Sequence, residues 1–167
     1  MTEQLSVTTE RVDDIPIVLA QSDDLGIPEL LDEYFKPHGN WEGTSLGWTT
    51  AIWLTHLVSE GDHRMNQVQD WVAQRVQTLH RCTGQEVREQ SWSDDRLALV
   101  LDALGQPEAW QRFERALNQR ILRVYQLQPQ RVRLDSTTAK GYWTVSEDGL
   151  FHLGYSKDHR PDLPQLK

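Results

Sequence analysis

The sequence predicts a mainly α-helical N-terminal domain, residues 1–128, followed by a strand-rich segment, residues 129–167. Three observations predict it. Apolar residues recur at three- and four-residue steps through five stretches between Ile27 and Val124, the period of one helix face. Gly26, Pro28, Gly61, Gly84, Ser93, Gly105 and Pro107 punctuate these stretches where helices start or stop. Beyond Pro129 the period changes, and Arg131-Val132-Arg133-Leu134-Asp135-Ser136-Thr137 alternates polar and apolar residues as a strand does.

Residues 1–20 read as weakly structured, with Ile15-Pro16-Ile17-Val18-Leu19 open to a short edge strand or the start of a helix. The first firm helix follows Gly26: Pro28 suits its first turn, and Ile27, Leu30, Leu31, Tyr34 and Phe35 share a face. Lys36-Pro37-His38-Gly39-Asn40 ends it. From Ser45 to Glu60, the residues Trp48, Ile52, Trp53 and Leu57 crowd a broad apolar face, which predicts a helix buried on most sides. One helix is expected from Met65 to Arg81, with Val68, Trp71, Val72, Val76 and Leu79 inward and Gly84 as its stop. Ser93 caps the next, with Asp94 and Asp95 in its electropositive first turn. Pro107 opens the longest, to about Tyr125, with Trp110, Phe113, Leu117, Ile121 and Val124 along one side. Tyr142-Trp143-Thr144-Val145 and Leu150-Phe151-His152-Leu153-Gly154-Tyr155 are β-prone and flank the turn signal Glu147-Asp148-Gly149. Two or three strands without a following helix cannot cover both faces of a sheet, so the segment reads as the opening of a second domain.

The chain has 167 residues and a formal net charge of -8. No apolar run approaches the roughly 18–20 residues of a bilayer span, so no membrane partner is expected. The lone Cys82 excludes an internal disulfide framework and cysteine-rich zinc sites, and a cytoplasmic setting is expected. Residues 1–35 hold nine acids and one base, whereas residues 111–140 hold seven bases and two acids. The acid excess argues against indiscriminate nucleic-acid binding. It leaves room for a local basic face, because screening confines each charge to about 10 Å. The stretch from Arg112 to Arg133 is thus either a solvated helix face or a contact surface for nucleic acid.

Asp135 stands near the end of a predicted strand, beside Ser136, Thr137 and Thr138. A carboxylate there suits a divalent cation, which takes hard oxygen ligands; the plainer role is a turn or capping residue. His56 and His63 lack the three- or four-residue step of helical zinc ligands, so Glu60-Gly61-Asp62-His63 reads as a polar helix end. Ser136 and Ser156 lack nucleophile-elbow glycines, and no complete hydrolase site is present. The tryptophans read as packing residues, with base stacking as the alternative.

Several stretches together resemble bacterial insertion-sequence transposases of the DDE type, which carry a ribonuclease H-like catalytic core. They are Asp13-Asp14-Ile15-Pro16, Gly26-Ile27-Pro28-Glu29-Leu30-Leu31-Asp32, His38-Gly39-Asn40-Trp41, Ser59-Glu60-Gly61-Asp62-His63-Arg64 and Ser93-Asp94-Asp95-Arg96-Leu97. The most specific are Arg133-Leu134-Asp135-Ser136-Thr137-Thr138 and the run from Gly154 to Gln165. The resemblance implies a helical N-terminal domain over residues 1–128. It implies that residues 129–167 hold the first two or three strands of a truncated ribonuclease H-like α/β domain.

Asp135 would then be the first acid of the triad and a metal ligand, for Mg2+ or Mn2+. The second Asp and the Glu have no counterpart in these residues, so tight metal binding and DNA cleavage are not expected of them. DNA at transposon ends, further copies of the chain, or full-length transposase are the implied partners. Arg120, Arg123, Arg131, Lys157, His159 and Arg160 are the candidate DNA contacts. The alternative is a helical DNA-binding or dimerisation module without catalysis.

Overall fold

In the computed structural model, residue 7 and residues 9–37, 39–128, 151–153 and 165–166 are described. The chain divides into two units, residues 1–128 and 129–167. The described part of the first is mainly helical.

Ile15 and Leu19 stand one helical turn apart with Ser22 beneath them, and all three are buried on α1 (Ile15–Asp24). Of the two alternatives for Ile15–Leu19, the start of a helix is the one observed, while residues 9–12 have no regular structure. Pro16 does not prevent the helix, because it lies in the first turn, where no amide partner is lost. Gly26 then takes a left-handed backbone, φ 58°, and turns the chain into α2 (Ile27–Tyr34). A Cβ on Gly26 would collide with the Arg120 guanidinium, so glycine serves both the turn and the close approach.

The expected second helix is α3 (Leu46–Glu60). Ser45 caps it by accepting from the Trp48 amide at 3.2 Å, and the left-handed Gly61 ends it. Asp32 of α2 adds a second cap, accepting from the Gly47 amide at 2.7 Å. Gly47 lets α3 ride against α2, since a Cβ there would strike the Pro28 carbonyl. The buried hydroxyls of Thr50 and Thr55 donate to the carbonyls of Leu46 and Ala51, at 2.7 and 2.8 Å. Burial therefore leaves neither without a partner.

The single helix expected over Met65–Arg81 is broken into three pieces. These are a 3-10 turn η1 (Met65–Gln67), α4 (Val68–Ala73) and α5 (Val76–Thr83). The break falls at Arg75, whose φ and ψ of -139° and 20° leave the helical region. There the guanidinium turns inward to Glu60 and the Trp71 carbonyl, while Leu79 still reaches the core at 0 % exposure. A 3-10 turn η2 (Glu89–Trp92) follows, then α6 (Asp94–Leu104), capped by Ser93 as expected. The last helix is α7 (Pro107–Val124).

Two apolar clusters form the interior. The larger joins α1, α3, α4, α5 and α6 around Ile52, Trp71, Val72, Trp92 and Leu97. The smaller joins α2, the start of α3 and α7 around Leu31, Phe35, Leu46 and Phe113. Trp53, Trp71 and Trp92 are buried as packing residues, while Trp110 is 37 % exposed.

In residues 129–167 the described part is one antiparallel pair, β1 (Phe151–His152) with β2 (Gln165–Leu166). Phe151 stands opposite Leu166 and His152 opposite Gln165. β1 falls within the stretch from Leu150 to Tyr155 read as a strand. The expected strands at Arg131–Thr137 and Tyr142–Val145 lie outside the described residues.

Candidate functional site

α7 is amphipathic. Its inner side sets Ala109 and Phe113 against Phe35 and Leu31 of the smaller cluster. On its outer side Arg112, Arg115, Gln119 and Arg123 follow one another at steps of three, four and four residues, and all four are exposed. That spacing keeps them on one line, about 16 Å from end to end at 1.5 Å per residue. Glu108 opens the same line in the first turn, where an acid suits the positive helix end. No carboxylate among the described residues pairs with Arg112, Arg115 or Arg123.

Arg120 behaves differently from Arg123. It is half-buried over Gly26, and its Nη1 donates to the Leu25 carbonyl in a long contact of 3.5 Å. Its charge therefore also ties α7 to the turn between α1 and α2. Asp135, Arg131, Lys157, His159 and Arg160 lie outside the described residues. Arg112 and Arg115 belong to the basic stretch seen in the sequence but were not among its named contacts. Their step from Arg123 along a helix opened by Pro107 is the signal that finds them.

A second polar centre lies where α3 ends. Glu60 Oε1 accepts from Trp71 Nε1 at 2.9 Å and from Arg75 Nη2 at 3.1 Å. The Arg75 guanidinium lies 4.9 Å from the Trp71 ring centre and reaches Asp13 at 3.8 Å. Ser59 donates to Asp14 at 2.5 Å. The Asp13-Asp14 and Ser59-Glu60 stretches, both quoted for the resemblance, thus meet in space. So do Trp41 and the Ser93–Leu97 stretch, with the Arg96 guanidinium 3.9 Å from the Trp41 ring centre.

The centre opens to a cleft of about 250 Å3 that His56, Glu60, Asp62 and Arg75 help to line. His56 is buried, edge-on to Trp71 at 5.3 Å, and its Nδ1 has no partner among the described residues. Burial pushes the His56 pKa down; Asp62 and Glu60 oppose this, Arg75 adds to it, and the net direction is down. Beside it Arg64 grips Asp62 through Nε and Nη2 and holds that carboxyl below the usual range. His56 is therefore part of the buried interior and not of a polar helix end. No local pattern signals that Arg75 joins it.

Among the described residues no group of three or more His, Cys, Asp or Glu side chains is placed to hold a metal ion. None of their helices is long and apolar enough to cross a membrane. No protein-family model, curated protein or solved structure matches the chain.

Proposed function

We propose that residues 1–128 are the DNA-contacting helical part of an insertion-sequence transposase, and that residues 129–167 begin its ribonuclease H-like part with Asp135 as the first triad acid. The observation that carries this reading is the exposed arginine line on α7, unpaired among the described residues. A duplex offers one negative charge per about 1.7 Å of its axis, so a line of this length meets several phosphates at once. The reading is also supported by the pairwise meeting of Asp13-Asp14 with Ser59-Glu60 and of Trp41 with Arg96. Phosphate contacts position a protein without reading sequence, so α7 supplies affinity and orientation.

Binding, rather than cleavage, is the property that the α7 line supports. Fluorescence anisotropy with a labelled duplex, over a range of salt concentrations, tests the proposal. Replacing Arg112, Arg115 and Arg123 together by Gln is expected to reduce the slope of log affinity against log salt by about 3, close to one unit per phosphate contact. An unchanged slope refutes it.

A second reading is favoured by one observation. Leu122, Val124, Tyr125 and Leu127 are 37–53 % exposed at the end of α7, which suits a helical dimerisation module. Self-association that ignores salt, with no DNA affinity, would select this reading.

A further inference from the structure

A cleft of about 610 Å3 lies between residues 42–44 and residues 85–91, and Arg96 of α6 lines it. Its two walls are fastened to each other. The Thr44 hydroxyl donates to the Glu86 carbonyl at 3.1 Å, and the Thr44 carbonyl accepts from Trp41 Nε1 at 2.9 Å. Thr44 itself is buried. The cleft is thus formed before any ligand arrives, as binding sites for small groups usually are.

Arg96 is the group in this cleft that the fold does not account for. Its guanidinium lies 3.9 Å from the Trp41 ring centre, and Nη2 donates to the Glu42 carbonyl at 2.6 Å. Both partners are neutral. No carboxylate among the described residues pairs with Arg96, and its Nε is buried without a partner among them. Burial alone acts on its pKa and lowers it. Arg75, which is also drawn inward, has Glu60 and Asp13 to balance its charge. A guanidinium taken partly out of water without a counter-charge is costly, and an anion in the cleft offsets that cost.

We propose that this cleft binds a phosphate group between the Arg96 and Arg88 guanidinia. Arg88 lines the same cleft, and its bond to Glu86 is exposed on both sides, so the pair contributes little and yields readily. Ser91 adds a hydroxyl on that wall. A phosphate presents three or more oxygens to separate donors, whereas a carboxylate presents two. Arginine is the side chain best shaped for such an oxyanion. Arg88 precedes η2 and Arg96 sits on α6, so the site does not rest on the α7 arginine line.

Titration with inorganic phosphate, followed by the Gly43 and Ser91 amide signals and the Arg96 Nε–H signal in NMR spectra, tests the inference. Saturable shifts are expected. Arg88→Gln should weaken binding about tenfold, by loss of a charge-assisted hydrogen bond, and Glu86→Gln should tighten it by freeing Arg88. Both positions are exposed, so neither change disturbs the fold. Arg96→Lys, which keeps the charge and loses the fork of donors, should weaken binding as well. A single-stranded oligonucleotide forms the second arm, added to the chain with Arg112, Arg115 and Arg123 replaced by Gln so that α7 cannot supply the response. Shifts with phosphate alone assign a free or terminal phosphate, and shifts with the oligonucleotide assign a backbone phosphodiester. If neither ligand moves these signals, if acetate moves them at the same concentration, or if Arg88→Gln and Glu86→Gln leave the affinity unchanged, Arg96 serves only to pack Trp41 and the inference fails.

Discussion

α3 and α7 are the longest helices among the described residues, at 15 and 18 residues, and they are used in opposite ways. Nine residues of α3 are buried, against two of α7. α3 is apolar around most of its circumference and passes through the interior, where even its threonines bond back to their own helix. α7 lays one narrow face on α2 and turns Arg112, Arg115 and Arg123 outward. The breadth of the apolar face, and not the length of the helix, separates a helix that supports the fold from one that presents a surface.

The strongest way to break this comparison is to remove one tryptophan from each neighbourhood. Trp92 is 0 % exposed against α3 and donates its indole N–H to the Thr49 carbonyl at 3.1 Å. Trp92→Ala is expected to cost about 3–5 kcal/mol, the transfer and cavity terms together. Trp110 on α7 stacks edge-on with Phe35 and Phe113 but is 37 % exposed. Trp110→Ala should cost roughly 1–2 kcal/mol. Denaturant midpoints with unchanged slopes measure both, and equal losses would remove the distinction.

The ends of the same two helices sharpen the comparison at a smaller scale. Ser45 caps α3 through its hydroxyl, whereas Gln106 precedes α7 with no side-chain cap, in a β-region backbone that a capping residue can adopt. Ser45→Ala is expected to lose about 1 kcal/mol, and Gln106→Ser to gain about 0.5–1 kcal/mol. Thermal midpoints check both signs. A Gln106→Ser variant that gains nothing would mean that the start of α7 already has its amides satisfied.

These contrasts also mark how far the sequence can be read. The mainly helical architecture, the α3 span with its Ser45 start, the Ser93 cap and the Pro107–Val124 helix were all legible, because each rests on local periodicity and capping chemistry. α1 was legible only as one of two alternatives for Ile15–Leu19, since its inward positions Ile15, Leu19 and Ser22 include only two apolar residues. The break at Arg75 was hidden as well. Its cause is a contact with Glu60, fifteen positions away, and no local period carries that. The α7 arginine line was half legible: the charge run was plain, but the inward pull on Arg120 depends on Leu25 and Gly26, far off in sequence. Asp135 and the other candidates beyond Gln128 lie outside the described residues and keep the standing that the resemblance gives them.

The smallest effect concerns the titratable group that α3 buries, since α7 holds its exposed charges in water. His56 faces Glu60 of its own helix, Asp62 after it, and Arg75 and Trp71 from the α4–α5 side. Burial lowers its pKa, and Asp62 and Glu60 only partly restore it. The unfolded chain therefore takes up the proton first, near the ordinary value of about 6.5. Stability from the neutral, packed ring is complete above that pH and declines as pH falls through the lower folded-state value. The slope cannot exceed about 1.4 kcal/mol per pH unit, the limit for one proton.

Carboxylates that the fold holds ionised, Glu10 and Asp62, lose their contribution in the same direction but only further down. Their ordinary value is about 4. The interval between about 6.5 and about 4.5 therefore isolates the histidine. Denaturation measured across that interval should show a fall that His56→Gln removes, and an NMR titration should place the His56 midpoint below that of the unfolded chain. If the midpoint lay above it instead, Glu60 and Asp62 would outweigh burial, and α3 would stabilise a charge as α7 does, only out of sight of solvent.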